Sequence, residues 1–286
     1  MRSEPVHWWM YSDPPGNPSG NMAKDAWCME QAEATGRPLL RLYEWDRPTL
    51  SVGRAQKVLR EIDPQGVREA GVSLVRRGTG GRAVLHGSDL TYAVAAPAGR
   101  PEFQGGILRV YREISRVFEV FFRGLGIEPE VKAYTGRERA MQASAICFAT
   151  PSAFEILVDG RKLVGSAQRM KARSLLQHGS LPLRSQTAML AKVFRDTTPA
   201  AVAGTMTDLT TLGILPGLSQ AQLRDRLAEA FAEVLGAVFD PGPFGEKDRA
   251  RVAELEAQFP IFDPEAEEAT GSGFRAGGTG GLKIQG

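Results

Sequence analysis

Four side chains in this sequence have acyl chemistry to offer, and they stand in or beside short runs with small-residue surroundings. Cys147 sits in Ser144-Ala145-Ile146-Cys147-Phe148, and Lys162 in Gly160-Arg161-Lys162-Leu163-Val164-Gly165-Ser166-Ala167-Gln168. His178 belongs to Leu176-Gln177-His178-Gly179-Ser180, and His86 ends the run Arg76-Arg77-Gly78-Thr79-Gly80-Gly81-Arg82-Ala83-Val84-Leu85-His86. A glycine has no Cβ, so this last run can bring backbone N–H groups against a phosphate, a carboxyl or a flat acyl linkage. A thiol can accept an acyl group from a thioester donor with little change in bond energy and then pass it downhill to an amine. An ammonium nearby favours the thiolate of a group whose free pKa is ~8.5, and it can donate to the thioester oxygen as charge builds there.

Each candidate also has an ordinary reading. A lone cysteine is often a small buried hydrophobe, which is how Cys28 on the inner stripe of the first helix is read. His178 and His86 are candidate bases for Cys147, or they satisfy polar groups beside the site. Arg161, Lys162, Arg169, Lys171 and Arg173 place five basic residues within thirteen positions. They are either the exposed face of a hairpin or a patch that steers an acidic partner. No cluster of Cys, His and Asp has metal-ligand spacing, and no metal is expected.

These side chains need strands and helices to hold them. Residues 6 to 12 read as a strand closed by Asp13-Pro14-Pro15-Gly16, with Ser19 capping a helix whose Met22, Ala26, Met29 and Ala32 share a face up to Gly36. Leu39 to Trp45 and Thr49 to Gly53 are expected as two strands joined by a tight turn at Asp46-Arg47-Pro48. Asp63 caps and Pro64 opens a short helix ending at Gly71, which leads into the strand before the glycine run. Leu90 to Ala95 is a further strand. A long helix follows with Ile107, Val110, Tyr111, Ile114, Val117, Phe118, Phe121 and Leu125 on one broad stripe.

Strands Phe154 to Val158 and Lys162 to Gln168 meet at an Asp159-Gly160 hairpin turn, and Leu175 to Leu183 continues the sheet. Ser219 and Gln222 form a capping box for a helix that buries Leu223, Leu227, Phe231 and Val234. The pattern predicts a single α+β domain over residues 1–262, a mostly antiparallel sheet with packed helices, followed by a flexible Gly-rich tail over 263–286.

Composition sets the bounds. The 286 residues are 42% apolar and 24% charged, an ordinary globular balance. A net charge of +2 makes no global case for nucleic acid or an anionic membrane. Two cysteines give no disulfide framework, and no apolar run approaches the ~18 residues of a bilayer span, so a cytoplasmic protein is expected.

The motifs together resemble the lipoate and biotin protein ligase superfamily, in particular its Cys-dependent octanoyltransferase branch. The likeness runs from roughly Asn21 to Val238. It rests on Asn21-Met22-Ala23-Lys24-Asp25, on Arg41 to Trp45 with Thr49 to Gly53, on Arg76 to His86, on Gly160 to Gln168 and on Leu176 to Ser180. The resemblance implies that Cys147 is the nucleophile, in the loop before Pro151-Ser152-Ala153-Phe154-Glu155, and that Lys162 lies beside the acyl carbonyl. It assigns substrate binding to Arg77, Gly78, Thr79, Gly80, Gly81, Ala83, Val84 and His86, and to Gly165, Ser166, Ala167, His178 and Gly179.

The implied reaction moves an octanoyl group from octanoyl-acyl carrier protein to a lysine of a lipoyl carrier domain, such as glycine cleavage H protein or a dehydrogenase E2, with no cofactor. Six buried methylenes of such a chain contribute about 5 kcal/mol before ordering costs. Alternatives within the same likeness are an ATP-dependent lipoate-protein ligase and an amidotransferase between carrier domains. A carrier-binding protein without catalysis is the alternative of another class.

Overall fold

The computed structural model describes residues 6–133 and 154–270. Cys147, Pro151 and Ser152 therefore lie outside the described residues. In chain order the first elements are β1 (Val6–Ser12), α1 (Pro18–Thr35), β2 (Leu39–Tyr43), β3 (Thr49–Val52), α2 (Pro64–Glu69), β4 (Ser73–Arg76), β5 (Val84–His86), β6 (Asp89–Pro97) and α3 (Ile107–Gly124). Then come β7 (Glu130–Ala133), β8 (Phe154–Val158), β9 (Arg161–Met170), β10 (Ser174–Pro182), α4 (Thr187–Val193) and α5 (Pro199–Thr205). The chain closes with α6 (Gln220–Leu235), β11 (Ala237–Pro241), α7 (Glu246–Glu256) and α8 (Pro264–Thr270).

Eight strands form one sheet in the order β11-β1-β2-β6-β10-β9-β8-β7, and β4-β3-β5 form a second, smaller one. Pairing in the large sheet is antiparallel except where β1 lies parallel to β11 and to β2. The fold is thus α+β with a mostly antiparallel sheet. β6 is buried on both faces because residues alternate across it. Leu90, Tyr92 and Val94 join α3 and α6 in one core with Phe118, Phe122 and Phe231. Ala93 and Ala95 face α1, where Trp27, Cys28 and Met29 pack in a second core with Leu255 of α7. The small sheet has its own core, in which Leu50, Val52 and Leu85 meet Val193, Phe194 and Met206.

Local signals account for many element ends. Asp63 caps α2, and Ser219 and Gln222 close a reciprocal capping box on α6. Asp159 and Gly160 both take positive φ, 51° and 71°, which suits the two-residue turn between β8 and β9. Cys28 is fully buried, and that burial pushes its thiol pKa up.

Four expectations change. Asn17, two residues before Ser19, caps α1: its side chain accepts from Gly20 N, and Pro18 fills the first helical position. β2 and β3 are not a hairpin, since β2 pairs with β1 and β6 in the large sheet while β3 pairs with β4 and β5. Ile107 opens α3 but is 48% exposed instead of joining the buried stripe. Beyond Phe262, where no element was expected, α8 forms, and its Glu267 takes both Nε and Nη2 of Arg76 at 2.9 and 2.5 Å. Among the described residues, no helix is long and apolar enough to cross a membrane.

Candidate active site

The glycine run connects β4 to β5 and is stitched from beneath by Arg77, a guanidinium only 4% exposed. Its Nη1 donates to Ser51 O at 2.7 Å, and its Nη2 donates to Gly80 O and Arg82 O, both at 2.7 Å. Nε reaches the Thr79 hydroxyl at 3.1 Å. One side chain thus satisfies carbonyls on both sides of the turn and leaves the loop little freedom. Gly81 takes a φ of 90°, and its carbonyl is so close to β3 that a Cβ on Gly53 would stand 1.8 Å from that oxygen. Glycine is required by contact at position 53 and by conformation at position 81.

Two carboxylate–imidazole–hydroxyl chains converge on this loop. His178 Nδ1 bonds Asp25 Oδ2 at 2.7 Å, and its Nε2 meets Thr79 Oγ1 at 2.7 Å. His86 Nδ1 bonds Asp89 Oδ2 at 2.8 Å, and its Nε2 meets Ser51 Oγ at 2.8 Å. A carboxylate only accepts, so each Nδ1 donates to its carboxylate while each Nε2 is held against a hydroxyl. All eight groups in these chains and in the Arg77 and Tyr43 bonds around them are buried. Burial opposes the charge on Asp25, yet the hydrogen bond from His178 and the Arg41 guanidinium hold its carboxyl below the usual range. Burial likewise opposes the charge on Asp89, which His86, Ser180 and the Gly87 N–H bring down in the same way.

Behind Asp25 the polar network continues into the second core. Arg41 donates to Asp25 Oδ1 at 2.7 Å, to Asp13 Oδ2 at 2.6 Å and to Asn21 Oδ1 at 2.8 Å, and Tyr43 OH donates to Asp25 Oδ2 at 2.9 Å. Trp45 stacks on the His86 ring at 4.2 Å between centroids and donates its indole N–H to Thr91. Both histidines are therefore fixed in orientation from two sides.

The loop, β9, β10 and the start of α3 enclose a cavity of about 540 Å³. Arg77, Gly80, Gly81, Val84, His86, Lys162, Gly165, Ser166, Ala167, His178 and Gly179 line it, all of them candidates from sequence. Gly78, Thr79 and Ala83 are not among the lining residues. Ala83 is fully buried in the core of the small sheet, and Thr79 points its hydroxyl at His178. Lys162 is 6% exposed, and its Nζ donates to Glu155 Oε1 at 2.5 Å. The bond to this carboxylate fixes the direction in which the amine points. Gly179 forms part of the floor: a Cβ there would fall 2.5 Å from Gly165 O and 2.6 Å from the Tyr92 ring.

The lipoyl protein ligase A/B catalytic domain is the family whose model matches this chain, over residues 17–232. The chain belongs to that family. Among curated relatives, Octanoyltransferase LipM of Kyrpidia tusciae is 37% identical over 254 residues, 85% of this chain and 93% of that protein. Octanoyltransferase LipM of Moorella thermoacetica is 35% identical over 254 residues, covering 86% and 93%. The solved bipartite lipoate protein ligase of Thermoplasma acidophilum superposes with a TM-score of 0.72 over 88% of this chain and 93% of that one. At 21% identity that likeness shows a shared fold.

In this lipoyl-ligase-family site, several contributors escaped sequence patterning. Tyr43, Trp45, Ser51 and Thr91 line the cavity, as do Ile107, Leu108 and Tyr111 from α3. Asp25 and Asp89 lie one step behind it. Asp89 had a readable cue, three residues after His86, where a turn returns its carboxylate to the ring. Asp25 stood in the Asn21 to Asp25 motif, but nothing local tied it to His178, which is 153 residues away and is met only through packing of α1 on β10.

Proposed function

We propose that this chain is an octanoyltransferase of protein lipoylation that carries the acyl group as a thioester on Cys147. The reading is supported by family membership, by relatives named octanoyltransferases at 35–37% identity over most of the chain, and by the cavity itself. The single feature that carries it is a cavity of about 540 Å³ that places the buried Lys162 ammonium beside a glycine floor at Gly165 and Gly179. A cavity of that size is in the range of small-molecule sites.

The first half-reaction is attack of the Cys147 thiolate on the carbonyl of a thioester donor. The new S–C bond forms as the carrier's thiolate leaves, and the proton released by Cys147 balances the one that the carrier thiol regains. In the second half, the neutral ε-amine of a lysine on a lipoyl carrier domain attacks the acyl-Cys147 carbonyl, the S–C bond breaks as the amide forms, and the proton lost by the amine balances the one regained by the Cys147 thiolate. Lys162 Nζ donates to the carbonyl oxygen as negative charge develops in each step. Glu155 aims that ammonium. Both ring nitrogens of His178 and His86 are already engaged, so they hold the loop, and a base role would require breaking one of those bonds.

Ala133, the last residue of β7, pairs with Phe154, the first of β8. β8 runs antiparallel to β9, so its first residues lie toward Gly165 to Ala167. Octanoyl-acyl carrier protein is the proposed donor, and an H protein or E2 domain the acceptor. The test is to incubate the protein with octanoyl-acyl carrier protein and measure intact mass. One octanoyl group should be gained, be released by hydroxylamine, pass to a lipoyl domain without ATP, and be missing from Cys147→Ala. An adduct that persists in that variant, or transfer that needs ATP, would sink the thioester route.

A further inference from the structure

Past its cavity-lining residues, β9 continues to Arg169, and that guanidinium does something its neighbours do not. Its Nη1 lies over the glycine loop, 3.3 Å from where a Cβ of Gly78 would be. Arg54, just after β3, is fastened to the same loop by its backbone N–H, which donates to Thr79 O at 2.9 Å. Nearby arginines are matched with acids: Arg76 with Glu267, Arg82 with Glu61, Arg161 with Asp159 and Arg173 with Glu33. Among the described residues, neither Arg54 nor Arg169 has a carboxylate partner. Arg169 is half-buried, and that burial, together with the charge of Arg54, pulls its pKa below the ordinary arginine value. Two like charges held on one loop rim without acids are unfavourable until an anion arrives between them.

We propose that Arg54 and Arg169 form an anion site on the rim of the glycine loop, which receives the phosphodiester of the carrier arm that delivers the acyl thioester. The inference rests on the thioester reading above and adds the part of the donor it recognises. Arg169 is seven residues along β9 from Lys162, roughly 23 Å at the rise of an extended strand. A donor whose carbonyl is at Lys162 and whose arm runs out along Gly165 to Gln168 therefore passes its charged end across Arg169. Forked guanidinium donors suit phosphate oxygens, and the site lies on the rim, where a tethered carrier protein stays in solvent.

The experiment compares two thioester donors that differ only in the phosphate, octanoyl-pantetheine and octanoyl-phosphopantetheine, by the rate of acylation of the full chain. The expected result is a preference of about tenfold in kcat/KM for the phosphorylated donor, expressed in KM. Arg54→Gln and Arg169→Gln each reduce that ratio, and together they bring it near one, while Arg169→Lys keeps part of it. Arg54 is exposed, so its variant reports even if a change at Arg169 disturbs folding. Equal use of both donors by the wild type, or an undiminished preference in the double variant, would overturn the proposal. Acylation by neither thioester would instead overturn the transfer reading and this site with it.

Discussion

Thr79 is a single residue on whose hydroxyl the shape of the site depends. Its hydroxyl oxygen accepts from Arg77 Nε and also meets His178 Nε2, so one atom couples the glycine loop to β10 and, through Asp25, to α1. Thr79→Val keeps the volume and removes the coupling. The variant should lose about 1–3 kcal/mol of stability, because two buried groups lose a partner, and should raise KM for the acyl donor more than it lowers kcat. Chemical denaturation and steady-state kinetics together check this, and unchanged values in both would mean the hydroxyl is idle. Lys162 was legible from its motif as an amine at this cavity. Its carboxylate partner was not, since Glu155 meets it only because the Asp159–Gly160 turn sets the register of β8 against β9.

At the scale of elements, local chemistry was readable and pairing was not. The Ser219 and Gln222 box works as its spacing implies, and Ser219→Ala should cost about 1 kcal/mol, seen as a lower unfolding midpoint without change in activity. α1 shows the limit of such signals: Asn17 and Ser19 are both good caps, and Pro18 decides between them because proline fits the first helical turn. β2 and β3 are short apolar strands of the same kind, and nothing in either run says that they belong to different sheets. α8 was hidden by an acidic composition that matches disorder. What orders it is a partner from elsewhere, as Glu267 grips Arg76, which also donates to Gly53 O at 2.7 Å. Glu267→Ala leaves that largely buried guanidinium without its carboxylate and should cost ~1–2 kcal/mol, measurable as a shift of a few degrees in thermal unfolding.

For the whole molecule, the buried carboxylates set the response to acid. Asp13, Asp25 and Asp89 all have folded pKa values held below the ordinary carboxylate value despite burial, which by itself would raise them. Unfolding returns them to the ordinary value, so the unfolded chain binds more protons as pH falls. Their contribution is fully present above about pH 4 and is lost as pH drops through the lowered folded values. Denaturant midpoints should fall from about pH 4 downward, and Asp25→Asn should flatten that slope while lowering stability at neutral pH. A slope unaltered by Asp25→Asn would remove this residue from the acid response.

Sequence by itself determined the elements whose causes are local: the capped helices α2 and α6, the broad apolar stripe of α3, the β8–β9 turn, and the glycine loop with Lys162 on the following strand system. These depend on periodicity, caps and turns within a few residues, and a side chain's neighbours in the chain suffice to specify them. Only the tertiary structure decided which sheet took β3, which carboxylate faced His178, and which acid ordered the chain beyond Phe262. Those choices join residues as far apart as Asp25 and His178, 153 positions, or Arg76 and Glu267, 191 positions. They are settled by which faces bury one another, because a buried charge is tolerated only where packing supplies its partner.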